Sequence, residues 1–199
     1  MRELDEHDVV SLRNVLAFTV LSHVADLITT HFRDPGLRQE GNPFYQFAEH
    51  LGFEGWAALV ITKVVMVGVL GLGFWWYLRN RRDYLPDKVV GSSRALIWYG
   101  MWDRRPYPRS MFARLFNLRK SAFMALMLGG VALPGSGAAA LFISVDNVSF
   151  ALGHGMPIKV AFELLLATTI AVCLWFGRAY WKYYTVQVDE GHITDKDGD

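Results

Sequence analysis

The sequence predicts an all-α integral membrane protein, a bundle of four spanning helices in a single domain over residues 1–182. Apolar residues make up 52% of the 199 residues, and the mean hydropathy is positive, at +0.20. These residues are bunched into four segments of about 20 residues or more, the length that a helix needs to cross a bilayer. A single cysteine, Cys173, excludes a disulfide-stapled secreted domain. The aromatic fraction of 14% excludes a disordered chain.

Four segments qualify as spans. They cover residues 12–30, 55–78, 121–144 and 157–181. The first segment is the least regular because it contains Ser22, His23 and Asp26. It does not have the form of a cleavable signal peptide, because the residues before it are acidic rather than basic.

The third span has a Pro-Gly pair at Pro134 and Gly135 and a Gly pair at Gly129 and Gly130. Two interpretations remain open at this point. Small residues let neighbouring helices approach closely, so the segment can be a kinked helix with a tight packing face. Alternatively, it can be a broken helix of the kind that lines binding sites in transporters.

The distribution of basic residues predicts the orientation. Residues 79–120 contain eleven Lys and Arg against three Asp, whereas the loop between residues 145 and 156 contains no Lys or Arg. Because Lys and Arg are enriched in cytoplasmic loops, residues 79–120 are predicted to form a basic cytoplasmic interfacial loop. Both termini then lie in the cytoplasm, and residues 183–199 form an acidic cytoplasmic tail.

The loops contain further predicted elements. Asn42 followed by Pro43 is typical of a helix start, which predicts a short helix over 43–51 at the outer interface. Aromatic residues interleaved with arginines predict amphipathic helices over 92–116, lying on the anionic lipid of the inner leaflet. Nucleic-acid binding is not expected, since the orientation already explains the basic charge. Residues 186–194 are predicted to form a small hairpin.

The most informative residues are the ionisable ones within spans, which are costly in a bilayer and commonly functional. Polar side chains of the first span recur at helical spacing and form one stripe: Thr19, Ser22, His23, Asp26 and Thr30. At a rise of about 1.5 Å per residue, Asp26, Lys63 and Glu163 all lie in the outer half of the bilayer. The candidate ligand-binding residues are His23, Asp26, Thr30, Glu40, Asn42, Lys63, Asp146, His154 and Glu163.

Each of these charges also has a purely structural interpretation. Lys63 can pair with Asp26 or Glu163, or its head can snorkel to the outer surface along its own stem. Asp26 and Glu163 can be buried, paired and structural. His23 can be a hydrogen-bonded packing residue or a ligand.

One part of the sequence follows a known pattern. Asp26 with Thr29 and Thr30 is followed by the run Glu40 to Pro43 (Glu-Gly-Asn-Pro), and then by Lys63 in the next span. Over residues 14–80 the chain resembles a family of small bacterial and archaeal multi-pass membrane proteins of uncharacterised function. The resemblance implies that Asp26, Glu40, Asn42 and Lys63 form a unit, without implying an activity. It also implies a bacterial or archaeal cytoplasmic membrane as the location.

Three functions are consistent with these patterns. The first is a binding or conducting role for a proton, an ion or a small polar ligand at the charged residues of the outer half. The second is a non-catalytic subunit or assembly factor of a larger membrane complex, or a homo-oligomer. The third is an intramembrane enzyme in which His23 and Asp26 bind a metal together with Glu40, His154 or His31. A haem site is not favoured, because His23 is the one histidine well inside a span.

Overall fold

A computed structural model describes residues 6–37, 43–86, 89–102, 118–154 and 157–193. Within these ranges the chain forms six α-helices and no strand. They are α1 (Glu6–Arg33), α2 (Pro43–His50), α3 (Gly55–Asn80), α4 (Ser93–Trp102), α5 (Leu118–Ala151) and α6 (Ile158–Asp189). Helices α1, α3, α5 and α6 are long and apolar enough to cross a membrane, which confirms the predicted all-helical class and its four candidate spans.

The helices extend beyond the predicted spans. Helix α1 begins with Glu6 and Asp8 in its first turn and ends with His31 and Arg33 in its last turn. This distribution complements the helix dipole, because negative charge is favourable at the start of a helix and positive charge at its end. The polar ends therefore prolong α1 on both sides of its apolar segment.

Helix α5 is the central element, and it packs against α1, α3, α4 and α6. The helix is continuous through Pro134, so of the two interpretations of this segment the kinked helix agrees with the structure and the broken helix was wrong. At Gly129 a Cβ atom would lie 2.7 Å from the backbone oxygen of Gly73 on α3. This close backbone approach requires glycine at position 129.

The main core lies between α3, α4, α5 and α6, towards the ends that contain Asn80, Leu118 and Asp189. It is formed by aromatic and aliphatic side chains, and its most buried members are Leu126, Leu133, Leu96, Phe123 and Tyr184. A smaller apolar cluster lies at the other end of the bundle, where α2 packs on α3. That second cluster contains Leu37, Tyr45, Ala48, Ala58 and Leu59.

The structure differs from the sequence predictions at several loops and helix ends. The short helix predicted over 43–51 is present as α2. The predicted hairpin over 186–194 was wrong, because α6 continues to Asp189. Of the predicted amphipathic region 92–116, helix α4 is present, and residues 103–116 lie outside the described residues. Helix α5 extends to Ala151, which places Asp146 and Asn147 on the helix rather than at its end.

Candidate polar site on helix α1

A buried ion pair connects α1 to α3. The Nζ atom of Lys63 lies 2.5 Å from Oδ2 of Asp26, and the two side chains are 12% and 3% exposed, respectively. Lys63 therefore pairs with Asp26, and its ammonium group does not rise to a surface along its own stem. The pair combines opposite charges in a charge-assisted hydrogen bond, which is shorter and stronger than a neutral one.

The other carboxylate oxygen of Asp26 begins a hydrogen-bonded chain. The hydroxyl of Thr30 donates to Asp26 Oδ1 at 3.4 Å. The side-chain amide of Asn147, on α5, donates to the Thr30 hydroxyl at 3.1 Å. Arg33 then donates to Asn147 Oδ1 at 2.9 Å and makes a longer contact of 3.5 Å with Asp146.

These six residues, which we call the Asp26 site, run from a buried interior to a partly exposed rim. Asn147 is buried, whereas the Arg33 and Asp146 side chains are 31% and 27% exposed. The members are Asp26, Thr30, Arg33, Lys63, Asp146 and Asn147. Two basic and two acidic groups make the site formally neutral, so it needs no bound counterion to balance its own charges.

His23 lies one turn along α1 from Asp26 and is only 5% exposed. Neither of its ring nitrogens has a hydrogen-bond partner among the described residues. The interpretation of His23 as a hydrogen-bonded packing residue is therefore not supported by the described contacts. A buried polar group normally has a partner, which can be a water molecule, an ion or a ligand.

Beyond His23 the polar stripe ends at the middle of the bundle. The hydroxyl of Thr19 donates to the backbone oxygen of Leu133 on α5 at 3.1 Å, so its proton is used in a contact between the two helices. Further along α1, Leu12, Val15 and Leu16 pack against the main apolar core. The site therefore has polar continuity towards Arg33 and an apolar region on its opposite side.

The structure brings together some of the predicted site residues and not others. Asp26, Thr30, Lys63 and Asp146 all belong to the Asp26 site. Glu163 is exposed on α6, which is not one of the three helices that supply the site, and the exposed His154 bonds to the backbone of Leu152. The predicted contributions of Glu40 and Asn42 lie outside the described residues.

Two site residues, Arg33 and Asn147, were not among the predicted candidates. Arg33 was detectable, since it follows Asp26 and Thr30 at helical spacing on the same face of α1. Asn147 was treated as the end of a span, because the predicted third helix stopped at residue 144. No simple sequence pattern shows that its amide faces Thr30 across the bundle.

The metal hypothesis gains no support from the described residues. No three of their His, Cys, Asp and Glu side chains are grouped so that they could hold a metal ion. Asp26 accepts a hydrogen bond from Lys63. His31 packs against the Trp56 ring, with the ring centres 5.3 Å apart. The described partners of these groups are protein side chains.

Comparisons with known proteins do not assign a family. No protein-family model, curated protein or solved structure gives a significant match to the chain.

Proposed function

We propose that this chain is a multi-pass protein of a bacterial or archaeal cytoplasmic membrane that binds a proton or small polar ligand at His23 and the adjoining Asp26 site. Both termini lie in the cytoplasm, so the rim formed by Arg33 and Asp146 faces the outer side. The orientation is supported by the basic loop between α3 and α5 and by the lack of Lys and Arg in residues 145–156. The basic loop also favours anionic lipid on the inner leaflet.

The observation that carries the proposal is His23, which is buried beside the Asp26–Lys63 pair and has no hydrogen-bond partner in the part of the chain that the structure describes. Histidine is the side chain whose charge changes most readily near neutral pH, and this makes the proton the simplest ligand for the site. The charges acting on His23 are those of Lys63 on α3 and Asp26 on its own helix. Helix α5 carries no charged side chain between Lys120 and Asp146.

The geometry favours binding from one side over conduction across the membrane. Thr19 is bonded to Leu133, and the residues beyond it on α1 are apolar. A conducting path would need polar groups or water through this region. The Asp26 site therefore works as a one-sided compartment whose polar connection runs towards the rim.

The proposal is tested by nitrogen-15 NMR of histidine-labelled protein in lipid nanodiscs, with the proton as the probe. The His23 signals, assigned from the His23→Gln variant, should change reversibly as the pH is lowered from about 8 to about 4. Asp26→Asn should alter this response, whereas the exposed Asp189→Asn should leave it unchanged. Constant His23 signals over this range would show that His23 does not take up a proton and is a packing residue.

Two further measurements test sidedness. In a Cys173→Ser background, a cysteine at His154 should react with an impermeant reagent from outside, and a cysteine at His192 should not; the reverse pattern would invert the orientation. In proteoliposomes loaded with a pH dye, wild type and His23→Gln should show the same slow proton leak. A faster leak in the wild type would contradict one-sided binding.

A second candidate function is that of a subunit of a larger membrane complex or a homo-oligomer. It is favoured by helix α6, in which only 11% of the most apolar segment is buried, against 33% in α5. Cross-linking through Cys173, which is exposed on this helix, tests it in native membranes. A cross-linked product of discrete mass would support a protein neighbour at α6. If Cys173 is labelled efficiently and no such product forms, α6 faces lipid.

A further inference from the structure

A second polar feature lies at the other end of the bundle from Asp26. There the Arg81 guanidinium, just after α3, pairs with the carboxylate of Asp8 on α1. The guanidinium carbon lies 3.5 Å from the centre of the Tyr183 ring on α6. Arg81 thus joins three helices, and its side chain is only 12% exposed.

A cavity of about 290 Å³ opens beside this ion pair. We call it the Arg81 cavity, and its polar lining residues are His7, Asp8, Ser11, Arg81, Lys182, Tyr183, Gln187 and Glu190. Small-molecule pockets typically measure about 300–1,000 Å³, so the cavity is at the lower limit of that range. It therefore suits one compact polar group rather than an extended ligand.

Two atoms of the lining residues have unused hydrogen-bonding capacity. Arg81 Nε, a donor, and Gln187 Oε1, an acceptor, are buried without a partner in the ranges that the structure covers. Gln187 is only 8% exposed, and its amide nitrogen already donates to Glu190 at 3.4 Å. Because both atoms are shielded from solvent, a ligand reaches them only when the two side chains turn towards the cavity, and it must then offer an acceptor to Arg81 and a donor to Gln187.

The charges of the cavity are compatible with such a ligand. Arg81 and Lys182 are balanced by Asp8 and Glu190, so the lining has both signs and no formal excess when His7 is neutral. Lys182 on α6 and Glu190, which directly follows this helix, are exposed and form the rim. A purely anionic group would meet two carboxylates here, and a purely cationic group would meet two basic side chains. A zwitterion matches both.

The position of the cavity favours a lipid as the source of this zwitterion. Trp75, Arg79 and Arg82 lie close in sequence to Arg81, and Trp181 and Tyr184 flank Lys182 and Tyr183. Trp, Tyr and basic residues are enriched at the level of lipid headgroups. Ala179 and Val186 add apolar lining from α6, the helix that is least covered by the rest of the protein.

We propose that the Arg81 cavity binds the zwitterionic headgroup of one phospholipid, a phosphate beside a primary ammonium, as in phosphatidylethanolamine. The phosphate accepts hydrogen bonds from Arg81 and Lys182, and the ammonium donates to Gln187 Oε1 and Glu190. A quaternary ammonium has no N–H to donate, and a phosphoglycerol headgroup has no cation. Both should therefore bind more weakly. This inference is independent of the function proposed for the Asp26 site.

The test is native mass spectrometry of the delipidated, full-length protein with short-chain phospholipids. Short-chain phosphatidylethanolamine should add as one saturable equivalent, and phosphatidylcholine and phosphatidylglycerol should bind at least several-fold more weakly. Free phosphoethanolamine should bind weakly as well, since it lacks the acyl chains that reach the apolar lining. Equal binding of all lipids would overturn the headgroup assignment. Tight binding of free phosphoethanolamine would overturn the lipid source.

Rim variants locate the site without disturbing the buried ion pair. Glu190→Gln should weaken phosphatidylethanolamine binding about two- to fivefold, because the ammonium loses a charged partner, and should not weaken phosphatidylglycerol binding, because an anionic lipid loses a repelling carboxylate. Lys182→Gln should weaken both lipids through the phosphate. Asp189→Asn and Arg178→Gln, matched exposed changes on the same helix outside the cavity, should have no effect. Equal losses in these controls would show that general surface charge, and not the cavity, binds the lipid.

Discussion

The two ends of helix α1 are each connected to α3 or its end by a buried ion pair, yet the surroundings of the pairs differ. Asp26 and Lys63 meet within the apolar length of both helices, and Asp26 also accepts a hydrogen bond from the Thr30 hydroxyl. Asp8 and Arg81 meet at the helix ends, where aromatic rings cover the guanidinium group. The exposed fractions are similar, at 12% and 3% for the first pair and 12% and 8% for the second.

This difference shows that burial alone does not decide what an ion pair contributes. If Lys63 is lost, the Asp26 carboxylate, whose side chain is 3% exposed, stays unpaired within the apolar length of two helices. If Arg81 is lost, Asp8 lies in the first turns of α1 next to an open cavity. Desolvation of an unpaired charge costs most where the protein cannot rehydrate it. The deep pair should therefore be the more sensitive one.

The largest expected effect comes from removing one partner of each pair. Lys63→Met should lower the free energy of unfolding by about 3–5 kcal/mol, because it leaves a buried carboxylate unpaired. Arg81→Met should cost less, about 1–3 kcal/mol, since Asp8 can be hydrated from the cavity. Reversible denaturation in mild detergent, followed by helical circular dichroism, measures both. Equal losses would remove the distinction between the two ends.

The next effect concerns the packed region between the two ends. Gly129→Ala should destabilise the protein by about 1–3 kcal/mol, because the added Cβ meets the backbone of Gly73 at 2.7 Å. Gly135→Ala on the same helix is the matched control, since its Cβ would meet only Val172 at 4.0 Å. The same denaturation assay should show no loss for the control. Similar losses for both variants would argue against the close approach of α3 and α5.

A smaller effect is expected where α5 joins the Asp26 site. Asn147→Ala removes the bonds to Thr30 and Arg33 and should cost about 1–2 kcal/mol. Ser149→Ala, in the same turn, removes only a bond to the backbone of its own helix and should be nearly neutral. Comparing the two melting temperatures checks this expectation. An unchanged melting temperature for Asn147→Ala would show that the α5 contact does not stabilise the site.

The smallest effect belongs to the rim. The contact between Arg33 and Asp146 is 3.5 Å long, and the two side chains are 31% and 27% exposed. Exposed pairs of this kind contribute about 0–1 kcal/mol, so Asp146→Asn should have little effect on stability. Asp26→Asn, the same chemical change inside the site, should cost several times more in the same assay. A large loss at Asp146 would extend the sensitive region to the rim.

The sequence allowed one end of the molecule to be predicted much better than the other. Asp26 and Lys63 stand out because ionisable residues are rare in apolar segments, and the depth estimate placed them at one level. Asp8 and Arg81 do not stand out, because each is one charged residue among several near a helix end. Their pairing depends on the three-dimensional positions of the ends of α1 and α3, which local patterns do not contain.

The fold could be predicted in outline for a similar physical reason. Four long apolar segments are a strong signal, and the class and the number of candidate spans followed from them. Helix ends were less predictable, because polar residues continue α1, α5 and α6 beyond their apolar parts. At the C-terminal end the predicted type of element was wrong as well, since residues 186–189 extend a helix where a hairpin was expected.

The central claim is that Asp26 and Lys63 interact as one buried pair, and a double-mutant cycle in detergent tests it most directly. The free energies of unfolding are measured for the wild type, Lys63→Met, Asp26→Asn and the double variant. The account predicts that each single change is strongly destabilising and that the double change recovers much of the loss, because no unpaired charge remains. If the two losses simply add, Asp26 and Lys63 do not stabilise each other, and the account of the Asp26 site is wrong.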